Sequence, residues 1–517
     1  MPTLHWLTRD EDLKTAANAE YRLLVEDEKL SYGDPDSENL IVQGDNLEAL
    51  KALLPFYAGQ VKCIYIDPPY NTGSAFEHYD DNMEHTIWLS MMYPRLELLK
   101  QFLREDGSIF IQLDDNEQAY AKVICDEIFG RNNFVTNIIW QKKFSPQNDT
   151  KWLSDNHDFI CLYAKNKEIW RPNLLPRTAT MDARYKNPDN DPRGVWSSGD
   201  LSAKTYSVST DYPITTPSGK IVDPAASRSW TVSKETFEEL LEDNRIWFGK
   251  KGNNVPRLKK FLTEVQQGVV SLTIWLHQEV GHNQDAKKEI KAIISDDTFS
   301  TPKPERLIQR IITLATNPGD LVLDSFLGSG TTAAVAHKMG RRYIGVEMGE
   351  HAKTHCALRL KKVIDGEKGG ISEAVGWKGG GGFRFFTLGE AIFDNEKRIK
   401  DTITFENLAA HIYFNETKTP MKKSKKKSAF LGIHNGTAYA LLFNGILGDK
   451  SIDGGNVLTH ITLNHIKNEM DAVEKKNKKE LEYNQMVIYG EATRLTYVSL
   501  EYNNIIFKQT PYDIKVW

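Results

Sequence analysis

Leu321-Val322-Leu323-Asp324-Ser325-Phe326-Leu327-Gly328-Ser329-Gly330-Thr331 reads as a short apolar run, a tight turn and the opening of a helix. An apolar run without polar alternation predicts a strand buried on both faces, as in parallel sheets. Gly328 and Gly330 let the backbone turn sharply and approach a ligand closely. N–H groups at the start of the following helix, Thr331–Met339, can meet a carboxylate. Taken alone, this turn is also compatible with a βα corner that holds no ligand.

Outward from that turn the α/β rhythm continues in both directions. Downstream come a strand at Arg342–Val346, an acidic Glu347 at its end, and a helix at Ala352–Val363. Glu347 is placed to accept hydrogen bonds from ribose hydroxyls, as acidic residues do in dinucleotide folds. Upstream, a helix at Glu305–Ala315 precedes the turn residues Asn317-Pro318-Gly319-Asp320. Further back, strands are predicted at Asn39–Gln43, Val61–Ile66, Ile109–Leu113, Phe134–Trp140 and Phe159–Tyr163. Helices are predicted from Asn46 to Leu54, at Trp88–Leu103 and at Asn116–Phe129. Alternation of this kind implies a largely parallel sheet covered on both faces.

The chain has 517 residues, too many for one ordinary core. At 40% hydrophobic and 26% charged it has globular composition, and its net charge of −5 excludes a uniformly basic binder. A regional basic footprint remains compatible with nucleic acid. No apolar run approaches the ~20 residues of a membrane span. The polar N-terminus carries no signal segment, so a cytoplasmic chain without membrane partners is expected. Cys63, Cys125, Cys161 and Cys356 are dispersed and predict buried free thiols. The expected divisions are a helical arm at 1–37, a first core part at 38–167, an irregular insertion at 168–297, a second core part at 298–366, a glycine-rich linker at 367–382 and a C-terminal α/β module at 383–517. The insertion interleaves Trp196, Trp230, Trp247 and Trp275 with basic residues such as Arg193 and Lys259.

The more specific signal is Asp67-Pro68-Pro69-Tyr70, directly after the Val61–Ile66 run. Consecutive prolines fix an extended turn. The Asp67 carboxylate and the Pro68 carbonyl then offer two acceptors at one place, matching the two N–H donors of an exocyclic amino group such as that of adenine. Holding both donors exposes the nitrogen lone pair, and the Tyr70 ring can stack on an extruded base. The alternative reading is a rigid turn after a buried strand.

With both motifs in view, the chain resembles the β-class amino-methyltransferases of DNA, in which the target motif precedes the cofactor motif. Asp67-Pro68-Pro69-Tyr70-Asn71-Thr72-Gly73, together with Thr301-Pro302-Lys303-Pro304-Glu305, narrows the likeness to the modification subunit of type III restriction systems. The resemblance implies a seven-stranded Rossmann-like core with an inserted target-recognition domain. It implies S-adenosylmethionine as cofactor and adenine N6 in duplex DNA as target. Asp67, Pro68, Pro69 and Tyr70 would be catalytic. Asp45, Thr301, Lys303, Asp324, Phe326, Gly328, Ser329, Gly330, Thr331 and Glu347 would hold the cofactor, with no metal. It further implies a homodimer and a separate helicase–nuclease subunit. Cytosine-N4 transfer, an RNA methyltransferase and a catalytically idle recognition subunit are the rival readings.

Other features carry less. His351 and His355, with Cys356, lie at metal-compatible spacing but lack an acidic partner pattern, and a packing role is preferred. The run Lys418, Lys422, Lys423, Lys425, Lys426 and Lys427 reads as a solvated loop. The insertion tryptophans read as core. Asp114 and Asp115 either line the cleft or cap a helix.

Overall fold

The structure, a computed structural model, describes residues 3–71, 84–148, 150–294, 299, 301–394, 396, 398–400, 402–421, 427–443, 455–477, 481–495, 504–510 and 514. Thr72, Gly73, Lys422, Lys423, Lys425, Lys426 and the expected insertion boundary at Asp297 lie outside the described residues. The chain divides into two compact units, one formed by 1–173 with 272–517 and the other by 174–271.

The larger unit is organised by one sheet. Its strands are β1 (Arg22–Glu26), β2 (Tyr32–Gly33), β3 (Leu40–Gln43), β4 (Val61–Ile66), β5 (Leu103–Leu113), β6 (Phe134–Gln141), β7 (His157–Ala164), β8 (Ile274–Trp275), β9 (Leu321–Asp324), β10 (Arg342–Glu347) and β11 (Gly382–Ala391). The spatial order is β1-β11-β3-β10-β9-β4-β5-β7-β6-β8, with β2 paired to β11. The seven strands from β3 to β6 in that order form the expected core, a mostly parallel sheet in which β7 runs antiparallel to both neighbours. β9 is buried along its whole length, which explains its unbroken apolar sequence.

β9 and β4 lie side by side, with Val322 opposite Cys63 and Leu323 opposite Ile64. The chain leaves β9 through the helix Thr331–Lys338 toward β10, and leaves β4 through the helix His85–Phe102 toward β5. The two crossovers diverge, so a crevice opens at the carboxyl ends of β9 and β4, where open α/β sheets bind ligands.

Three expectations change. The segment 1–37 is not a helical arm: after the helix Arg9–Asn18, β1 and β2 pair antiparallel with β11. The expected linker is packed structure. Ile371 is buried, the Trp377 indole N–H donates to the Val363 carbonyl at 2.7 Å, and Gly382 already begins β11. Alternating Phe383 and Phe385 are fully buried beside β3, so 382–391 belongs to the central sheet and not to the C-terminal module. The third change is the insertion. β8 pairs in parallel with β6 through Trp275 and Trp140, which returns 272–294 to the larger unit. The C-terminal stretch adds a second sheet, with Phe430–His434, Thr437–Leu441, Gln485–Gly490 and Ile505–Gln509 as neighbours in that order.

The smaller unit, 174–271, has its own core of Leu201, Ile214, Trp230, Phe237, Ile246 and Phe248. Its three-stranded antiparallel sheet joins Trp196–Asp200, Arg257–Phe261 and Ile246–Trp247. Trp196 and Trp230 are buried, and Trp247 meets Trp196 edge-on with ring centroids 5.3 Å apart. Some of the basic residues are internal as well. Lys259 is buried against Asp189 and Asp191, and Arg193 binds Asp191 at 2.9 Å.

One charged cluster holds the second core part together. Glu305 is fully buried and accepts from Lys338 at 2.8 Å, from Arg359 at 2.8 Å and from the Ile371 N–H at 3.0 Å. Arg359 also donates to the Thr331 hydroxyl at 2.8 Å, which ties the cluster to the helix that follows the glycine turn. Removing the carboxylate leaves the buried Arg359 without an anionic partner among the described residues and Lys338 with Glu367 alone. Glu305→Ala should therefore lose about 3–5 kcal/mol of stability in urea unfolding; a loss below ~1 kcal/mol would show that the cations find other partners.

Candidate active site

At the crevice between β4 and β9 a cavity of about 380 Å³ is lined by both motifs: Asp67, Pro68, Pro69 and Tyr70 on one wall, Asp324, Phe326, Leu327, Gly328, Ser329 and Thr331 on the other. Thr301, Pro302 and Lys303 complete it, with Lys142, Asp155 and Asp158 from the β6–β7 hairpin. Tyr70 and Gly328, far apart in sequence, therefore face one space.

The tetrapeptide is held from several sides. The Tyr70 hydroxyl donates to Asp67 Oδ1 at 2.7 Å, and Lys303 Nζ donates to Asp67 Oδ2. The Lys303 ammonium also stands 5.4 Å from the centre of the Tyr70 ring. The Trp88 indole N–H takes the Pro69 carbonyl at 2.8 Å, while the Pro68 carbonyl has no hydrogen-bond partner among the described residues. Asn71 follows with φ of 60°, a left-handed conformation that asparagine tolerates. Its amide donates to Glu117 at 2.7 Å.

The opposite wall is built by the glycine turn. Gly328 and Gly330 have φ of 58° and 81°, the region where an L side chain is strained. Asp324 accepts from the Phe326 N–H at 2.9 Å and from the Thr332 hydroxyl at 2.6 Å, which fixes the turn on the strand end. Glu347 accepts from the Gly328 N–H at 2.6 Å and the Met348 N–H at 2.8 Å, and pairs with His351 at 2.8 Å. Glu347 thus braces the turn from behind and is not on the cavity wall. Asp45 is also off the wall. It caps the helix Asn46–Tyr57 through the Leu47 and Glu48 N–H groups and binds Arg95 at 2.8 Å. Gly330 lies behind the turn against Cys356, where a Cβ would come within 3.2 Å of the Cys356 Cα. Among the described residues no group of His, Cys, Asp and Glu could hold a metal.

Sequence reading missed the hairpin wall. Asp158 is buried. It accepts from Lys142 at 2.6 Å, from Gln112 at 3.1 Å and from the Tyr70 hydroxyl at 3.3 Å. The Tyr65 hydroxyl donates to Gln112 at 2.7 Å and extends the chain. The available signal was a carboxylate inside the apolar run His157–Ala164, which demands a cation, and a lysine directly after the partner strand. Asp114 lines the cavity, and its carboxylate accepts from the Asn116 N–H at 2.9 Å in a local turn; the following helix, Gln118–Cys125, carries no side-chain cap, so the helix-cap role is not met.

The electrostatics favour a ligand carrying positive charge. Burial pushes the Asp324 carboxyl up to about 7, helped by the nearby charges of Asp67 and Glu347. Burial likewise pushes Asp114 up to about 6 and raises Asp158. A cation beside these carboxyls offsets the cost of ionising them. The Lys303 ammonium on the cavity wall suits a carboxylate. S-adenosylmethionine carries a sulfonium, an ammonium and a carboxylate, so the residues present fit it.

Residues 61–357, more than half of the chain, match the sequence model of the DNA methylase family (N6_N4_Mtase), and the chain belongs to that family. It is 35% identical over 415 residues to the probable type III restriction-modification enzyme HindVI Mod subunit of Haemophilus influenzae, covering 69% of this chain and 55% of that protein. It is 36% identical over 334 residues to the type III restriction-modification enzyme StyLTI Mod subunit of Salmonella typhimurium, covering 58% and 49%. To the type II methyltransferase M.EcaI of Enterobacter cloacae it is 31% identical over 318 residues, covering 60% and 66%. The chain thus spans roughly half to two thirds of the length of these curated relatives.

The elevated Asp324 group predicts a pH effect. Its folded value of about 7 exceeds its ordinary 3.8, so the folded state retains a proton that the unfolded chain has lost. That contribution is full below the ordinary value and is lost as pH rises toward the folded one. Asp324→Asn cannot ionise. The stability difference between wild type and variant, from urea unfolding at several pH values between about 4 and about 8, should shift in the variant's favour as pH rises. A difference that stays flat would contradict the burial argument.

Proposed function

We propose that the chain is a site-specific DNA methyltransferase that carries a methyl group from S-adenosylmethionine to adenine N6 in duplex DNA. Convergence of Asp67–Tyr70 and the Gly328 turn on one cavity is the observation that carries this reading. When bound, the cofactor supplies an electrophilic methyl carbon on sulfur. The protein's own groups orient the acceptor. Asp67 and the Pro68 carbonyl accept the two amino N–H donors, and the Tyr70 ring stacks on the extruded base. The Phe326–Thr331 turn receives the cofactor, with Asp324 facing its positive charge. Thr301 and Lys303, which line the cavity, would hold the methionine end. On the family resemblance, Glu347 would hold the ribose and Asp45 the cofactor adenine, although neither lines the cavity.

Two relatives named as type III Mod subunits support assignment as the modification subunit of such a system, with a separate helicase–nuclease subunit as partner. The compact unit 174–271 is the proposed target-recognition domain, and the C-terminal sheet a docking module. A homodimer is supported by the sheet edge at β8, where Leu272, Ile274 and Leu276 are exposed. Four buried free cysteines suit a reducing compartment, in line with a cytoplasmic location. Among the described residues no helix is long and apolar enough to cross a membrane.

Sequencing of modified bases in a host that expresses the chain tests this directly and yields the target site. N6-methyladenine at one short sequence is the expected product. N4-methylcytosine would move the assignment to the other amino group, and an unmodified genome would refute the transfer reading. Asp67→Ala should lower tritiated-methyl transfer by about a thousandfold or more with cofactor affinity within about threefold. Retained transfer would remove Asp67 from the reaction. Gly330→Asp should weaken cofactor binding at least ~10-fold in calorimetry; unchanged affinity would displace the cofactor site from this turn.

A further inference from the structure

Between β6 and β7 the chain makes an excursion whose tip is exposed. Trp152 is 82% and Leu153 90% accessible, whereas Trp88, Trp140, Trp230 and Trp275 are all fully buried. A bare tryptophan beside a bare leucine costs solubility and needs a reason. The excursion is not a loose tail. Its feet are joined by the Lys142 and Lys143 N–H groups donating to the Asn156 carbonyl at 2.9 and 3.3 Å. Higher up, the Gln147 N–H donates to the Ser154 hydroxyl at 2.8 Å. Those feet are part of the cavity: Lys142, Lys143 and Asp155 line it. An apolar tip therefore rises from the rim of the space into which the proposed function moves a base.

The flanking charge has the matching sign. Lys143 at one foot and Lys151 beside the tip make no ion pair among the described residues, and Lys151 Nζ lies 4.9 Å from the centre of the Trp152 ring. Cations next to an exposed aromatic and an aliphatic side chain suit a surface that alternates phosphate with base faces.

We propose that Trp152 and Leu153 form a wedge that enters the DNA base stack and fills the gap left when the target base swings into the cavity. This rests on the methyl-transfer reading. Extruding a base breaks two stacking contacts and its pairing, and an apolar side chain placed in the gap restores part of that loss. Trp152 offers a ring to stack on the neighbouring base, and Leu153 the narrow apolar insert that kinking proteins use. Lys143 and Lys151 meet the phosphates on either side. The partner is duplex DNA, because the feet of the excursion belong to the base cavity.

The test uses the full chain and two duplexes that carry the site found by modified-base sequencing. In one the target adenine is paired with thymine, and in the other it faces an abasic site, where extrusion costs little. The double variant Trp152→Ala/Leu153→Ala should lose about 10- to 100-fold in kcat/KM on the paired duplex and stay within about threefold on the abasic one. Fluorescence of 2-aminopurine at the target position should rise less with the variant, and Trp152→Phe should recover most of the paired-duplex rate. Equal loss on both duplexes, or no loss on either, overturns the wedge. So does a change of oligomeric state in light scattering, which would assign the tip to an interface between copies. A wild-type chain inert on both duplexes instead refutes the methyl-transfer reading, and the wedge with it.

Discussion

The parallel pairing of Val61–Ile66 with Leu321–Asp324 is the constraint on which the site depends. Two hydrogen-bonded strands end at the same level and the same edge, and each ends in a turn that cannot continue as sheet. Prolines stop one chain and left-handed glycines redirect the other. Since the crossovers leave in opposite directions, no helix among the described residues covers the gap between the turns. The cavity is therefore a consequence of topology, and its chemistry follows from which residues stand at two strand ends.

Charge then decides what the cavity receives. Asp67, Asp158 and Asp324 stand around it, and each is engaged differently. Asp158 is paid for by Lys142 and by amide and hydroxyl donors. Among the described residues Asp324 is met only by a backbone N–H and a hydroxyl, and burial pushes it up to about 7. The site thus combines one neutralised carboxylate that orients Tyr70 with another that gains from a nearby cation. The neighbouring cluster of Glu305, Lys338 and Arg359 sets the frame. It anchors the segment beginning at Thr301 to the helix after the glycine turn, and it includes a residue, Arg359, outside the family match.

The central strands were legible because burial on both faces leaves an unbroken apolar run, and both motifs were legible because proline and glycine write backbone geometry into sequence. What escaped was long-range pairing. Nothing local marks 22–26 as the partner of 382–391, and a glycine-rich approach disguised Phe383 and Phe385 as the start of another module. The same blindness hid β8, a two-residue strand whose meaning comes from its register with Trp140. In the site, Asp67, Tyr70 and the turn were readable as types in a pattern. Lys142 and Asp158 were not, because their role arises only when two antiparallel strands set a buried carboxylate beside a lysine. Glu347 was found as a residue at a strand end and Asp45 through the family resemblance, but their present partners depend on packing that spacing cannot report.

Asp67 carries one further consequence. One carboxylate oxygen accepts the Tyr70 hydroxyl and the other accepts Lys303. An exocyclic amino group that binds Asp67 must share or replace one of these donors. Tyr70 has a second acceptor in Asp158 and can lean on it without being left unsatisfied. Lys303, a buried ammonium with three donors, requires an anionic partner if it moves. A carboxylate arriving near Thr301–Lys303 would serve, and the proposed methyl donor carries one. The geometry therefore couples the two halves of the cavity through a single lysine: an anion on the cofactor side eases release of the acceptor on the base side.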